Sequence, residues 1–144
     1  MPRPSATPIG IVLTRTAKAV SRAFDERLGR AGGSAALWQV LLALKTRHVG
    51  NQRELAEAVG IQGATLTHHL NAMEADGLIT RERDPDNRRV HLVRLTARGD
   101  QLFHQLRGAA LAHDRQLRSG LDEQEVATLA RLLDRLRDNV SDAG

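Results

Sequence analysis

The fold is decided between Asn51 and Gly99, where the sequence is NQRELAEAVGIQGATLTHHLNAMEADGLITRERDPDNRRVHLVRLTARG. Two short stretches with apolar residues at helical spacing are joined by a tight turn, and two extended stretches follow. Between the extended stretches lies Asp84-Pro85-Asp86-Asn87, which is typical of a turn. Helix, turn, helix and hairpin in this order indicate a winged helix-turn-helix, whose second helix is shaped to enter the major groove of duplex DNA.

Local signals set the ends of these elements. Asn51 is a good N-cap for the first helix, and Glu54 would complete a capping box. Gly60 suits the left-handed residue that ends a helix. The second helix would bury an apolar stripe and end at Asp76-Gly77; the stripe comprises Leu66, Leu70 and Met73. Its start is less well defined, because Gln62-Gly63 stands where a better cap is expected. The predicted hairpin arms are residues 79–83 and 89–95, and Thr96 is a plausible N-cap for the next helix.

The flanks of this segment also predict helices. Thr7-Pro8 is a start signal for a first helix over residues 7–30, with apolar residues at three- and four-residue steps. Ser34 can cap a second helix. A long helix should follow the hairpin, and Asp122 with Glu125 forms a capping box for a last helix that runs to about residue 140. The expected fold class is therefore mainly α with a small β wing.

Composition limits the remaining possibilities. The chain has 144 residues, enough for one domain, and no cysteine. Disulfides, thiolate metal sites and thiol redox chemistry are thereby excluded. Neither a secretory pattern nor a long apolar run is present, so we expect a cytoplasmic protein without membrane contact. No motif calls for a cofactor.

Charge is unevenly placed along the sequence. Residues 79–98 carry a net charge of +3 and residues 1–33 one of +4, whereas residues 121–144 carry −3. The wing and the first helix therefore supply the positive field, as expected of a protein with one side facing DNA.

Nearly the whole chain resembles the MarR family of bacterial transcription regulators, named for multiple antibiotic resistance. The matching pieces are Glu54-Leu55-Ala56, Thr65-Leu66-Thr67, Gly77-Leu78-Ile79 with Arg81, the wing run Asp84-Pro85-Asp86-Asn87-Arg88-Arg89, and Leu95-Thr96-Ala97-Arg98-Gly99. The resemblance implies a single MarR-like domain over residues 1–144, with a DNA-binding lobe at 34–99. It also implies a two-fold homodimer built by helices within 7–30 and 97–140, although these helices could instead pack only on their own subunit.

The resemblance further implies a small-molecule effector, such as an aromatic anion, in a cleft between the dimer helices and the DNA-binding lobe. Conceivable lining residues are Arg15, Phe24 and Trp38. The alternative for Trp38 is an ordinary place in the core, because large aromatic side chains are mostly buried.

The second helix of the motif carries the candidate DNA-reading side chains. They are polar and follow the turn: Gln62, Thr65, Thr67, His68, His69 and Asn71. Gln and Asn can bond adenine edges, Thr can contact the thymine methyl group, and His can donate to guanine or phosphate. The alternative is an ordinary solvated helix face, since about half of a surface helix is polar.

The wing carries the candidate backbone contacts. Arg88 or Arg89 could insert into a narrow minor groove, with Asp84 or Asp86 orienting the arginine or closing the turn. Arg81, Arg83 and Arg98 are further candidates for phosphate contact. The alternative is a salt-bridged, exposed hairpin that contributes little.

Other chemistry finds little support in the sequence. His68 and His69 are adjacent and point to different helix faces, and no metal-binding or nucleophile motif occurs. We therefore expect neither a metal site nor an enzyme. The function that fits best is a homodimeric transcription regulator that binds a palindromic operator and is released by a small ligand. We expect it to be a repressor rather than an activator. The alternative is an architectural or protein-docking winged-helix protein without operator specificity.

Overall fold

The computed structural model describes residues 6–46 and 50–141. Within these residues the chain forms six helices and one antiparallel hairpin of two strands. The elements in chain order are α1 (Ile9–Arg30), α2 (Ala35–Thr46), α3 (Gln52–Val59), α4 (Gly63–Ala75), β1 (Ile79–Arg83), β2 (His91–Leu95), α5 (Ala97–Leu117) and α6 (Glu123–Ser141). The prediction of a mainly α fold with a small β wing is confirmed. Residues 47–49 of the expected DNA-binding lobe lie outside the described residues.

Most of the predicted helix caps are present. The side chain of Asn51 accepts a hydrogen bond from the Glu54 N–H at 2.8 Å, and Gly60 ends α3 with a φ of 76°. Thr96 accepts from the Gly99 N–H at 3.1 Å at the start of α5. Asp122 and Glu125 each accept a bond from the other's backbone N–H, at 2.7 and 3.1 Å, which is a complete capping box.

The chain divides after Leu111 into two compact units. The core of the first unit is aliphatic, and its fully buried members include Leu28, Leu41, Leu55, Leu66, Leu70 and Leu106. At the edge of this core, the Phe103 ring stacks on the Trp38 ring, with 5.5 Å between the ring centroids and 8° between the ring planes. The second unit contains α6, none of whose residues is buried; Val126, Leu133 and Leu136 are half-buried.

The hairpin is joined to the start of α3. The Val93 N–H donates to the Gly50 carbonyl at 2.7 Å, and Asn51 forms an isolated antiparallel bridge with Leu92. The backbone leading into the helix-turn-helix thus pairs with the edge of the two-stranded hairpin through a single isolated bridge. This pairing fixes the base of the wing next to α3.

The second strand is shorter than predicted. It begins at His91, two residues after the expected start, because Arg88–Val90 belong to the loop. The Asp84 N–H donates to the Val90 carbonyl at 2.9 Å, and the Val90 N–H donates to the Asn87 carbonyl at 2.9 Å. These bonds turn the chain after Asn87 and leave Arg88 and Arg89 at the tip.

No helix among residues 6–46 and 50–141 is long and apolar enough to span a membrane.

Candidate nucleic-acid interface

The second helix of the motif, α4, is the candidate recognition helix. It buries Leu66, Leu70 and Met73, so the opposite face is exposed. Thr65 and His68 lie on that exposed face, one turn apart. Gln62 is at the N-cap, and its side chain makes no capping bond, as expected from its poor capping propensity. The three side chains therefore line the start of the helix, where base edges come within reach when such a helix enters a major groove.

The two adjacent histidines differ in exposure. His68 is exposed and His69 is half-buried, with their ring centroids 5.9 Å apart in an edge-to-face arrangement. Among the described residues no group of three or more His, Cys, Asp or Glu could hold a metal ion. His68 is thus the histidine that the fold presents on the recognition face.

Thr67 occupies a different environment from Thr65. It is half-buried, its hydroxyl group donates to the Gly63 carbonyl at 2.9 Å, and its oxygen accepts from Gln52 Nε2 at 2.6 Å. The hydroxyl group of Thr67 therefore joins α3 to α4. Sequence reasoning missed Gln52, because no local pattern pairs residue 52 with residue 67.

Asn71 and Arg81 are brought together by the fold. Arg81 Nη2 donates to Asn71 Oδ1 at 2.6 Å and to Glu74 Oε1 at 2.9 Å. The hydrogen bond from Arg81, reinforced by its positive charge, holds the pKa of Glu74 below its usual value. Glu74 was not among the predicted site residues. The alternation of β1, which turns Ile79 and Arg81 to the same face, is a sequence signal that could have indicated this contact.

The wing presents exposed arginines on a loop that is closed by its own side chains. Asp84 Oδ1 accepts from the Asp86 N–H at 2.9 Å, and Asn87 Oδ1 accepts from the Arg89 N–H at 3.2 Å. Asp84 therefore closes the turn, as expected for one of the two acids. Arg83, Arg88 and Arg89 are exposed. Among the ion pairs of the described residues, none involves these three arginines, so the salt-bridged alternative considered above is not formed at these positions.

A groove runs between the wing and the starts of α3 and α4. Its lining includes Arg53 and Gln62 from the helices, and Arg89 and His91 from the wing. Glu54 and Glu57 are on the same lining, so its charge is mixed. The groove places the wing arginine and the beginning of the recognition helix on one surface.

The candidate effector residues are not brought together in the same way. Arg15 is exposed on α1, and Phe24 follows nine residues later, about 13 Å along the helix axis. Phe24 and Trp38 are half-buried and pack against the core. The two aromatic residues thus have a role in packing, whereas Arg15 is exposed to solvent.

Comparison with known proteins agrees with this geometry. A sequence model of the MarR family matches residues 34–91. YdgJ of Bacillus subtilis, described as an uncharacterized HTH-type transcriptional regulator, is 29% identical over 91 residues, which cover 63% of this chain. The match spans only 56% of the length of that relative.

Solved structures resemble the chain over most of its length. A cysteine-to-serine mutant of MarR from E. coli in complex with operator DNA has a TM-score of 0.80 and 25% identity, covering 90% of this chain and 93% of its own. BpsR of Bordetella bronchiseptica, whose DNA binding is regulated by 6-hydroxynicotinic acid, has a TM-score of 0.81 and 25% identity, covering 96% and 99%. A probable transcriptional regulator from Pseudomonas aeruginosa has a TM-score of 0.75 and 30% identity, covering 89% and 96%.

The same family is indicated by the fold, the exposed recognition face, the arginine-tipped wing and these similarities. The chain belongs to the MarR family of DNA-binding transcription regulators.

Proposed function

We propose that this protein is a homodimeric repressor that binds a palindromic operator in the cytoplasm and releases it when a small ligand binds. The observation that carries the proposal is the exposure of Thr65 and His68 on α4 beside a wing whose Arg88 and Arg89 are also exposed. The helix supplies groups for base edges, and the wing supplies positive charge for the flanking backbone.

Exposed apolar surface supports the homodimer. On α1, Ile9 is 65% exposed, and Ile11, Val12 and Leu13 are each at least 40% exposed. On α6, Leu129 and Leu132 are each 48% exposed. Exposed apolar patches of this kind mark interaction surfaces, and a two-fold dimer would match two recognition helices to the two halves of a palindrome.

Regulation by a ligand is proposed by analogy with BpsR, whose DNA binding responds to 6-hydroxynicotinic acid. An aromatic carboxylate is the chemical class that we would test first, with 6-hydroxynicotinate as the probe. A ligand of this class should displace the protein from DNA at constant salt concentration, and benzyl alcohol, an aromatic compound without the carboxylate, serves as control.

The test of the function begins with selection of a duplex from a random-sequence library by the wild-type protein. The affinity of each variant is then measured on the selected duplex and on a scrambled duplex of equal length. Thr65→Ala and His68→Ala should each cost about 1–3 kcal/mol on the selected duplex and much less on the scrambled one. Thr80→Ala, an exposed threonine on β1, is the control. A selection without enrichment, or equal losses on both duplexes, would favour the architectural or protein-docking alternative.

A further inference from the structure

Arg81 differs from the other wing arginines in its position on the hairpin. In β1, residues Ile79 and Arg81 face the same side, and Arg81 pairs across the hairpin with the buried Val93. The Arg81 side chain is consequently only 18% exposed. An arginine on the inner face of a wing points to the protein, whereas a phosphate contact requires a guanidinium that faces solvent.

The partners of Arg81 lie on the recognition helix. Asn71 and Glu74 are three residues apart on α4, so their side chains share one face, and both accept hydrogen bonds from Nη2 of Arg81. The guanidinium charge is compensated by the Glu74 carboxylate at 2.9 Å. This compensation lowers the attraction of Arg81 for a phosphate group.

The bond to Asn71 also sets the orientation of its amide. The amide oxygen faces Arg81, so the NH₂ group is the part of the exposed Asn71 side chain that remains for other contacts. Such an amide offers donors to acceptors such as guanine O6 and N7, whereas its oxygen, which adenine would need as an acceptor, is already bonded to Arg81.

We propose that Arg81 is a positioning residue that clamps the wing to the recognition helix and presents Asn71 as a hydrogen-bond donor. The proposal rests on the proposed function, since positioning matters when a particular sequence is recognised. It separates Arg81 from Arg83, Arg88 and Arg89, which remain the candidates for direct contact with the DNA backbone.

The direction in which one substitution changes the affinity for DNA distinguishes the clamp from a phosphate contact. Removing an acidic group near DNA ordinarily strengthens binding, because the protein becomes more positive. Glu74→Ala would therefore strengthen binding to every duplex if it freed Arg81 for phosphate. If Arg81 is a clamp, Glu74→Ala weakens binding to the selected duplex and changes binding to the scrambled duplex no more than the removal of another nearby acid does. Glu57→Ala removes an acid that pairs with the exposed Arg53, and serves as the matched control.

Variants of Arg81 provide a second test of the proposal. Arg81→Gln and Glu74→Ala should each lower the ratio of selected to scrambled affinity about tenfold, and the double variant should lower it no further, because both changes break one contact. Arg81→Lys can still pair with Glu74 and should retain an intermediate ratio. The slope of log affinity against log salt should be unchanged in Arg81→Gln, whereas Arg83→Gln should flatten it by about 0.9 if Arg83 contacts phosphate.

Several outcomes would overturn the proposal. Stronger binding by Glu74→Ala on both duplexes, or a flattened salt slope in Arg81→Gln, would make Arg81 a phosphate contact. Equal losses on both duplexes, together with a lower unfolding temperature, would make it a structural residue only. If selection yields no enriched duplex, the proposed function fails, and the salt slope on the scrambled duplex still decides between clamp and phosphate contact.

Discussion

Gln52 donates a hydrogen bond of 2.6 Å from Nε2 to Oγ1 of Thr67, and so ties the first residue of α3 to the recognition helix. The Thr67 hydroxyl group in turn donates to the Gly63 carbonyl at 2.9 Å. A single threonine thereby fixes the spacing of the two helices of the motif and closes the first turn of α4.

Thr67→Val keeps the shape of the side chain but removes the acceptor of Gln52. We expect a loss of about 0.5–1.5 kcal/mol in the free energy of unfolding, measured by urea denaturation. Gln52→Ala should cost less in the Thr67→Val background than in the wild type, because the two residues share one bond. Thr65→Val, at an exposed position of the same helix, should change stability little. If the losses in the free energy of unfolding from Gln52→Ala and Thr67→Val simply add in the double variant, the hydrogen bond between the two residues does not contribute to stability.

The wing arginines should act through charge. Replacing Arg88 and Arg89 together by Ala should weaken DNA binding and flatten the slope of log affinity against log salt by about 1 to 2 units. Stability should be nearly unchanged, because exposed charges contribute little to it. Arg131→Ala with Arg135→Ala removes the same charge from α6 as a control. A wild-type salt slope in the wing variant would exclude contact with phosphate.

The exposed Leu132 and the half-buried Leu136 of α6 should help to hold the dimer together. Replacing Leu132 and Leu136 by Asp would bury unpaired charge in any interface formed by this face. Sedimentation velocity should show the variant as a monomer and the wild type as a dimer, and operator binding should be lost with dimerisation. Arg135→Asp changes charge on the same helix and serves as control. A wild type that sediments as a monomer at micromolar concentration would refute the homodimer.

Two glycines of α5 should respond in opposite ways to alanine. A Cβ at Gly99 would overlap the carbonyl oxygen of Leu78 and lie 3.0 Å from the Leu95 side chain. Gly99→Ala should therefore destabilise the protein by about 1–3 kcal/mol in thermal or urea unfolding. A Cβ at Gly108 would meet no atom within 4 Å, so Gly108→Ala should stabilise the helix by about 0.5–1 kcal/mol. Similar effects at both sites would show that the close approach at Gly99 is not retained.

Acid should weaken one contact between α2 and α5. The Lys45 ammonium group donates a hydrogen bond to Asp100 and lowers the pKa of its carboxyl group, with a smaller effect from His104. Because the folded-state pKa is depressed, the stabilisation is present above the ordinary aspartate pKa of about 3.9 and is lost as pH falls through the lowered value. Asp100→Asn should unfold at a lower temperature than the wild type at pH 7, and the difference should narrow towards pH 3. A constant difference would refute the ionic contribution, and Lys45→Met should reproduce the asparagine variant.

The local parts of the fold could be predicted from the sequence. The caps at Asn51, Thr96 and Asp122, and the left-handed Gly60, follow from residues at most four positions apart, and a hydrogen bond over that distance depends on little else. The buried stripe of α4 follows equally from helical spacing. These signals suffice to order the elements and to place the recognition helix.

Contacts between elements were harder to predict, because they depend on how two elements pack. The pairing of Gln52 with Thr67 and that of Arg81 with Glu74 join residues on different elements. Polar residues on α4 were all possible DNA contacts from the sequence, but packing turns the hydroxyl of Thr67 inward and exposes Thr65. The start of β2 was placed two residues early because the alternation of residues does not reveal where loop bonds end.

Neighbouring residues at the wing tip have two different roles. Asp84, Asn87 and the backbone of Val90 hold the loop in shape, while the side chains of Arg88 and Arg89 are exposed. Substitutions at the two arginines can therefore alter what the tip binds without altering the loop itself. If the tip contacts DNA as proposed, substitutions in this segment, whether by evolution or by design, can change the DNA sequence that the protein prefers without changing the hydrophobic core.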